Sequence, residues 1–105
     1  MIVVLAWNGR ALRFPDERWQ HIVDRHPNLA SERDRTIETI RHPDRVQLGY
    51  AGERLASRRY SEAPFDGNHL VVVYLEEGTN GGFVVTAYLT RRLSVRRSTL
   101  WTRSP

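Results

Sequence analysis

Cysteine and lysine are both absent from this sequence. Without cysteine, disulfide bonds, thiolate zinc sites and a cysteine nucleophile are excluded. All sixteen basic residues are arginine, and genomic base composition is enough to explain the missing lysine. Long apolar runs are missing too. The apolar N-terminal stretch 1–7 is far too short for a signal peptide or a membrane span. From this stretch and the initial methionine we expect a cytoplasmic protein with no membrane partner.

The composition that is present indicates one globular domain over residues 1–105. An apolar fraction of 40% supports a single core in a chain of 105 residues. The net charge is +4 and the isoelectric point is about 10.3. Arginine binds phosphate in a bidentate manner and stacks on bases. The positive charge therefore indicates an anionic partner, either a nucleic acid or an acidic protein.

The segment 69–90 predicts the central hairpin of the fold. Residues 70–75 are apolar at nearly every position, as in a strand covered on both faces, and a Gly- and Asn-rich loop follows. Residues 83–90 alternate instead, which predicts one face of Phe83, Val85, Ala87 and Leu89 and another of Val84, Thr86, Tyr88 and Thr90. We look for chemistry at the hydroxyl pair Thr86 and Tyr88. The alternative is that both are ordinary strand formers.

The other elements follow from turn and capping signals. In chain order these signals predict a type I′ hairpin about Asn8-Gly9, a helix over 16–25 ended by Pro27, a second helix from a Ser31–Asp34 capping box to Arg41, and strands over 45–50 and 54–61. The tail 91–105 fits either a short helix or an edge strand. The predicted class is α+β, with an N-terminal β-hairpin and two helices packed on a four-stranded antiparallel sheet.

The four histidines do not have the spacing of a metal site. His21 and His26 are five residues apart on nearly opposite faces of the first helix, so they cannot bind one metal ion. We expect His42 to cap the second helix and His69 to begin a strand. We therefore expect no metal and no cofactor.

Metal-free cleavage of RNA matches the residue types that are present. That reaction needs a base for the 2′-hydroxyl proton, an acid for the leaving 5′-oxygen and cations for the phosphorane charge. Histidine titrates in the range that acid and base require. Arginine remains charged at all relevant pH values, and tyrosine or threonine hydroxyls can orient the phosphate.

Two sequence blocks in a fixed order resemble the phage-type barnase–EndoU–colicin–RelE-like (PBECR) nuclease domains. The first block is His21-Ile22-x-x-Arg25-His26-Pro27 and the second is Val85-Thr86-Ala87-Tyr88, with Arg59-Tyr60 between them. The resemblance covers about residues 14–90. It implies a barnase/EndoU/colicin/RelE-like fold and a metal-independent endoribonuclease, as in phage, toxin and mobile-element proteins. RNA is the implied substrate, and an acidic antitoxin or immunity protein is a further candidate partner.

The resemblance also assigns roles residue by residue. It implies the catalytic residues His21, His26, Arg59, Thr86 and Tyr88, and it also matches Arg25, which we expect to bind substrate. From the residues themselves we add Arg58, since either Arg58 or Arg59 could hold the phosphate, and Arg91 and Arg92 of the basic tail as further substrate-binding residues. His26 is favoured if the cleft lies between helix and sheet, with a helix-terminal cap as its alternative. His21 is favoured if the cleft opens on the other side, beside Arg18 and Arg25, with an exposed surface histidine as its alternative.

Two readings of a different class remain open. The same fold without catalysis could bind RNA or an acidic protein through Arg91–Arg97. An assembly protein could use Trp101 and the arginine-rich tail as a homodimer edge, so both a monomer and a homodimer are compatible with the sequence.

Overall fold

Seven β-strands and two α-helices make up the fold, as a computed structural model that describes residues 2–104. Met1 and Pro105, the first and last residues of the predicted domain, lie outside the described residues. The elements in chain order are β1 (Ile2–Leu5), β2 (Ala11–Phe14), α1 (Asp16–Arg25), α2 (Arg33–Arg41), β3 (Arg45–Leu48), β4 (Arg54–Arg59), β5 (His69–Glu77), β6 (Gly81–Thr90) and β7 (Thr99–Thr102), with a 3₁₀ turn at Pro27–Leu29 between the helices.

The strands form a single mixed sheet in the order β1-β2-β6-β5-β4-β3-β7. The α+β class is confirmed, and the predicted antiparallel meander is the centre of the sheet. The predicted strand number is wrong, because the N-terminal hairpin pairs β2 in parallel with β6 and the tail adds β7 beside β3. Pairing supplies hydrogen-bond partners to backbone groups that an isolated hairpin would leave to solvent. Of the two conformations predicted for the tail, a short helix and an edge strand, the structure has the edge strand.

The N-terminal turn differs from the predicted type I′ turn. Ala6 and Arg10 close the hairpin through a backbone hydrogen bond of 2.9 Å. Between them Gly9 alone has a positive φ, of +84°. A type I′ turn needs two such residues, whereas a longer loop needs only one, and glycine adopts that conformation without steric cost.

Proline and acidic residues set the limits of the helices. α1 begins directly after Pro15 with two acidic residues in its first turn, and it ends before Pro27. The capping box predicted at Ser31 is wrong, because α2 begins at Arg33 and Glu32 occupies the N-cap without a side-chain hydrogen bond. His42 follows α2 as its C-cap, as predicted.

Both helices pack on one side of the sheet, which we call the helix-packed face. Ile22 of α1 and Ile40 of α2 are buried there with apolar side chains from six strands, among them Val4, Leu12, Phe14, Val46, Ala56, Leu70, Val72, Tyr74, Val84 and Ala87. The other side of the sheet, the outer face, carries the alternate side chains of the same strands. Neither α-helix of residues 2–104 is long enough to cross a membrane.

The two ends of the sheet approach each other. Trp7, after the end strand β1, stacks on Trp101 of the opposite end strand β7, with ring centroids 5.4 Å apart and an interplanar angle of 22°. The sheet is therefore strongly curled.

Candidate functional site

A β-bulge in β6 determines which of its side chains face the helices. Val85 is the extra residue, since the register with β5 shifts at this point. Val84 and Ala87 are consequently both buried in the core. The predicted alternation is therefore wrong before the bulge, where Val84 takes the core position that was assigned to Phe83 and Val85.

Beyond the bulge the predicted alternation is correct. Tyr88 lies on the outer face, because its neighbours Ala87 and Leu89 pack on the helix side. Across the sheet Tyr88 is opposite Val71, which in turn is opposite Ser57. Val71 and Ser57 are buried although they lie outside the main core. Another part of the chain must therefore cover the outer face.

That cover is the strap, residues 91–98, which connects β6 to β7 across the outer face. The Gln47 side chain donates a hydrogen bond of 2.7 Å to the Ser94 carbonyl and fixes the strap to β3. Between strap and sheet lies a pocket of about 510 Å³. Its lining consists of Gln47, Leu55, Val71, Tyr88 and Thr90 from the sheet and residues 92–97 from the strap. We call it the outer pocket.

The outer pocket is basic on its strap side. Arg92, Arg96 and Arg97 line it, and none of the three forms a salt bridge with a described carboxylate. Arg97 places its guanidinium 4.8 Å from the Tyr50 ring centroid, and its buried Nε has no hydrogen-bond partner among the described residues. Such a nitrogen can donate its hydrogen bond to an oxygen of an anionic ligand, which would offset the cost of its burial.

The carboxylate pairing of arginines differs between the regions of the protein. Seven arginines pair with Asp or Glu, and they lie in the N-terminal hairpin, in α2, on β4 and at the chain end: Arg10, Arg13, Arg33, Arg35, Arg54, Arg58 and Arg103. The strap arginines and Arg59 have no such pair within residues 2–104, and neither do Arg18, Arg25, Arg41 and Arg45. The outer face therefore keeps its positive charge available.

The end of the same face holds Arg59, His69 and Thr90 in one cross-strand row. Arg59 is anchored by its Nε, which donates a hydrogen bond of 2.7 Å to the Gly67 carbonyl, and by its backbone N–H, which donates to Asp44. Burial, and after it the Arg59 guanidinium, lowers the pKa of His69 below its ordinary value. This imidazole is therefore held towards its neutral form.

The predicted α1 residues lie at the edge of the sheet. His21 is exposed and lines a separate depression of about 300 Å³ with Pro15, Glu17 and Arg18. β2 pairs with β6 only as far as Phe83, and α1 lies beside the edge that remains open. Arg18 donates to the Val85 carbonyl there, at 3.3 Å. Side chains of α1 thus reach the β6 edge.

The two remaining predicted residues of this helix stand apart from the outer pocket. His26 caps the C-terminus of α1, where its backbone N–H donates a hydrogen bond of 2.8 Å to the Ile22 carbonyl. His26 thus has the C-cap position that its alternative interpretation predicted, and its catalytic role stays a prediction. Arg25 is exposed in the last turn of α1. Neither side chain lines a pocket together with Tyr88.

Arg58 and Arg59 point to opposite sides of the sheet. Arg58 lies on the helix-packed face, 5.7 Å from the Tyr60 ring, and donates to the His42 carbonyl at 2.6 Å. It lines a second pocket, of about 480 Å³, with Trp7 and Trp101. Of the two neighbouring arginines, only Arg59 lies on the face of Tyr88.

The last predicted residues lie at the end of β6. Thr86 is on the outer face near the bulge, and Arg91 and Arg92 begin the strap. The structure thus brings Arg59, Thr86, Tyr88 and Arg92 to one face, while His21, Arg25, His26 and Arg58 lie elsewhere. His69, Arg96 and Arg97 complete that face. No sequence signal indicated His69, because residues 70–75 are apolar at nearly every position and do not reveal which face the first residue of β5 shares.

The sequence and the fold can be compared with those of known proteins. No protein-family model matches the chain, and no curated protein and no solved structure matches it either. Among residues 2–104, no three His, Asp or Glu side chains are grouped so that they could hold a metal ion.

Proposed function

We propose that this protein is a metal-independent endoribonuclease of the PBECR type, with a barnase/EndoU/colicin/RelE-like fold and its active site on the outer face. The reaction would be attack of a ribose 2′-oxygen on the adjacent phosphorus. The bond from phosphorus to the 5′-oxygen breaks, and a 2′,3′-cyclic phosphate and a free 5′-hydroxyl result. A base takes the 2′-hydroxyl proton, and an acid gives a proton to the 5′-oxygen.

One observation carries this proposal: the Tyr88 side chain lines the same pocket as three arginines that have no carboxylate partner. Phosphoryl chemistry needs cations where the phosphorane charge develops and a hydroxyl that can orient or protonate an oxygen. Arg92, Arg96 and Arg97 meet the first need, and Tyr88 meets the second. The pocket volume of about 510 Å³ is in the range of small-molecule sites and suits one nucleotide unit.

The apolar floor of the outer pocket is already covered by the strap. Leu55 and Val71 form this floor, and they are nearly inaccessible to solvent. The groups that a nucleic acid would contact are therefore Tyr88 and the strap arginines, which line the same pocket. An acidic antitoxin or immunity protein that covers the strap would neutralise the same charges, and the protein would then act as a toxin-like effector.

The direct test is cleavage of a labelled single-stranded RNA by purified protein in excess EDTA. We expect cleavage with a 2′,3′-cyclic phosphate end, which mass spectrometry distinguishes from a 3′-phosphate. Tyr88→Phe keeps the ring and removes the hydroxyl, so we expect it to fold normally and to lose about 100-fold or more in rate. Intact RNA at high protein concentration would refute the nuclease proposal.

A second candidate function is RNA binding without cleavage. The observation in its favour is that His21 and His26, the histidines that the PBECR resemblance implies, line no pocket with Tyr88. The same RNA with a 2′-O-methyl group at every position measures binding alone, because it cannot be attacked by its own 2′-oxygen. Tight, salt-sensitive binding together with intact unmodified RNA would select this candidate.

A further inference from the structure

The outer face contains an imidazole that the sequence pattern assigned to no role. His69 is the first residue of β5, and its side chain faces the same way as Val71, because Leu70 between them is buried in the core. Val71 is the cross-strand neighbour of Tyr88. His69 and Tyr88 therefore occupy a diagonal of the β5–β6 pair.

Diagonal neighbours on one face of an antiparallel pair are about 7–8 Å apart, within reach of long side chains. Hydrogen bonds from such a pair extend about 3 Å from each group. An imidazole and a phenol placed in this way can contact opposite oxygens of one phosphodiester. Thr90 stands directly opposite His69 and also lines the outer pocket, so the row of His69 continues into that pocket.

The surroundings of His69 favour a base at neutral pH. Burial and the Arg59 guanidinium on β4 both disfavour the imidazolium, and Arg45 on β3 acts in the same direction. Asp44 before β3 acts against them and does not cancel them. Thr90, the neighbour on β6, carries no charge. A neutral imidazole can accept a proton, and Arg59 beside it is a cation for the phosphate.

We infer that His69, and not His21 or His26, supplies the catalytic imidazole of the proposed ribonuclease. This inference depends on the proposed function. His69 takes the proton of the attacking 2′-hydroxyl, Arg59 and Arg92 hold the phosphorane oxygens, and the Tyr88 hydroxyl protonates the 5′-oxygen as its bond to phosphorus breaks. His69 returns its proton to solvent and Tyr88 regains one.

The test compares His69→Gln and His69→Ala with His21→Gln and His26→Gln in single-turnover cleavage of the same RNA. We expect both His69 variants to lose about 100-fold or more in rate, and the other two to stay within a few-fold of the wild type. Thermal unfolding and binding of the 2′-O-methyl RNA are measured for all four variants. We expect neither to change enough to explain the loss.

Two further readouts separate a catalytic role from a structural one. The acidic limb of the wild-type rate profile should lie below pH 6.5, the ordinary pKa of histidine, and it should disappear in His69→Gln. Added imidazole should restore part of the activity of His69→Ala and none of that of Tyr88→Phe.

The possible outcomes decide between the two proposals. If His69→Gln cleaves at the wild-type rate while His21→Gln or His26→Gln is inactive, the inference is overturned and the ribonuclease proposal stands. If the wild type itself leaves RNA intact, both fall. If the His69 variants lose their affinity for the 2′-O-methyl RNA in proportion to the rate, His69 binds the substrate and the inference is overturned as well.

Discussion

The arginines of the strap should determine how steeply RNA binding depends on salt. Each phosphate that a cation neutralises on a single strand adds about 0.7 to the slope of log K against log salt. Arg92, Arg96 and Arg97 line the outer pocket and have no carboxylate partner within residues 2–104. Replacing all three by glutamine should therefore reduce the slope by about 2.

The size of this effect makes it measurable. Between 50 and 200 mM salt, a difference of about 2 in slope means that the wild type loses about 20-fold more affinity than the triple variant. Fluorescence anisotropy with the 2′-O-methyl RNA gives the affinity at each salt concentration without cleavage. The hydrogen bond from Gln47 to the Ser94 carbonyl, which anchors the strap, uses none of the three arginine side chains. The strap should therefore remain in place, and circular dichroism checks that the triple variant is folded.

A matched control removes the same charge from the other side of the molecule. Arg33, Arg35 and Arg41 lie on α2, on the helix-packed face. Replacing these three by glutamine changes the net charge equally but should alter the slope by less than 1. If the α2 variant lowers the slope as much as the strap variant does, binding depends on overall charge and the assignment of the outer pocket is refuted.

Three further predictions concern stability. Tyr60→Phe removes a hydroxyl that donates to Glu38 at 2.8 Å, so we expect a loss of about 1 kcal/mol in the free energy of unfolding, measured by urea denaturation. Gly82→Ala should destabilise by about 3 kcal/mol or more, seen as a lowered Tm, because the new Cβ would overlap the Leu75 carbonyl oxygen, which cannot move without breaking the β5–β6 pairing. His69 has a lowered pKa in the folded state, so below about pH 6.5 the unfolded chain binds the proton more readily than the folded chain does. On acidification the Tm of the wild type should therefore fall further than the Tm of His69→Gln. Equal decreases in Tm would refute this prediction.

The local signals in the sequence were sufficient for the helices and the central meander. Pro27 and Pro43 end helical patterns that are short and strongly periodic, and those elements appear where the signals stand. The parallel pairing of β2 with β6 could not be predicted in this way. It joins residues about seventy positions apart, and no local pattern encodes a contact of that range.

The bulge at Val85 illustrates a different limit. A period-two pattern assigns faces correctly only while the register is continuous, and one extra residue moves the preceding side chains to the other side of the sheet. The predicted face of Tyr88 is correct, since Tyr88 lies beyond the bulge. The predicted face of Phe83 is wrong, since Phe83 lies before the bulge. His69 was assigned to no site because a strand-initial histidine has no distinctive local signal.

The path of the strap explains why only part of the candidate site could be predicted from the sequence. The strap contains Leu93 and Val95 among many arginines, too few apolar residues to predict a packed element, and Val95 is 95% exposed. Nevertheless the strap covers the apolar floor formed by Leu55 and Val71. The same chain path places the strap arginines in one pocket with Tyr88. Burial of that floor and delivery of the cations are thus consequences of one chain path. That path is fixed at the β3–β7 pairing, and a pattern read residue by residue does not contain it.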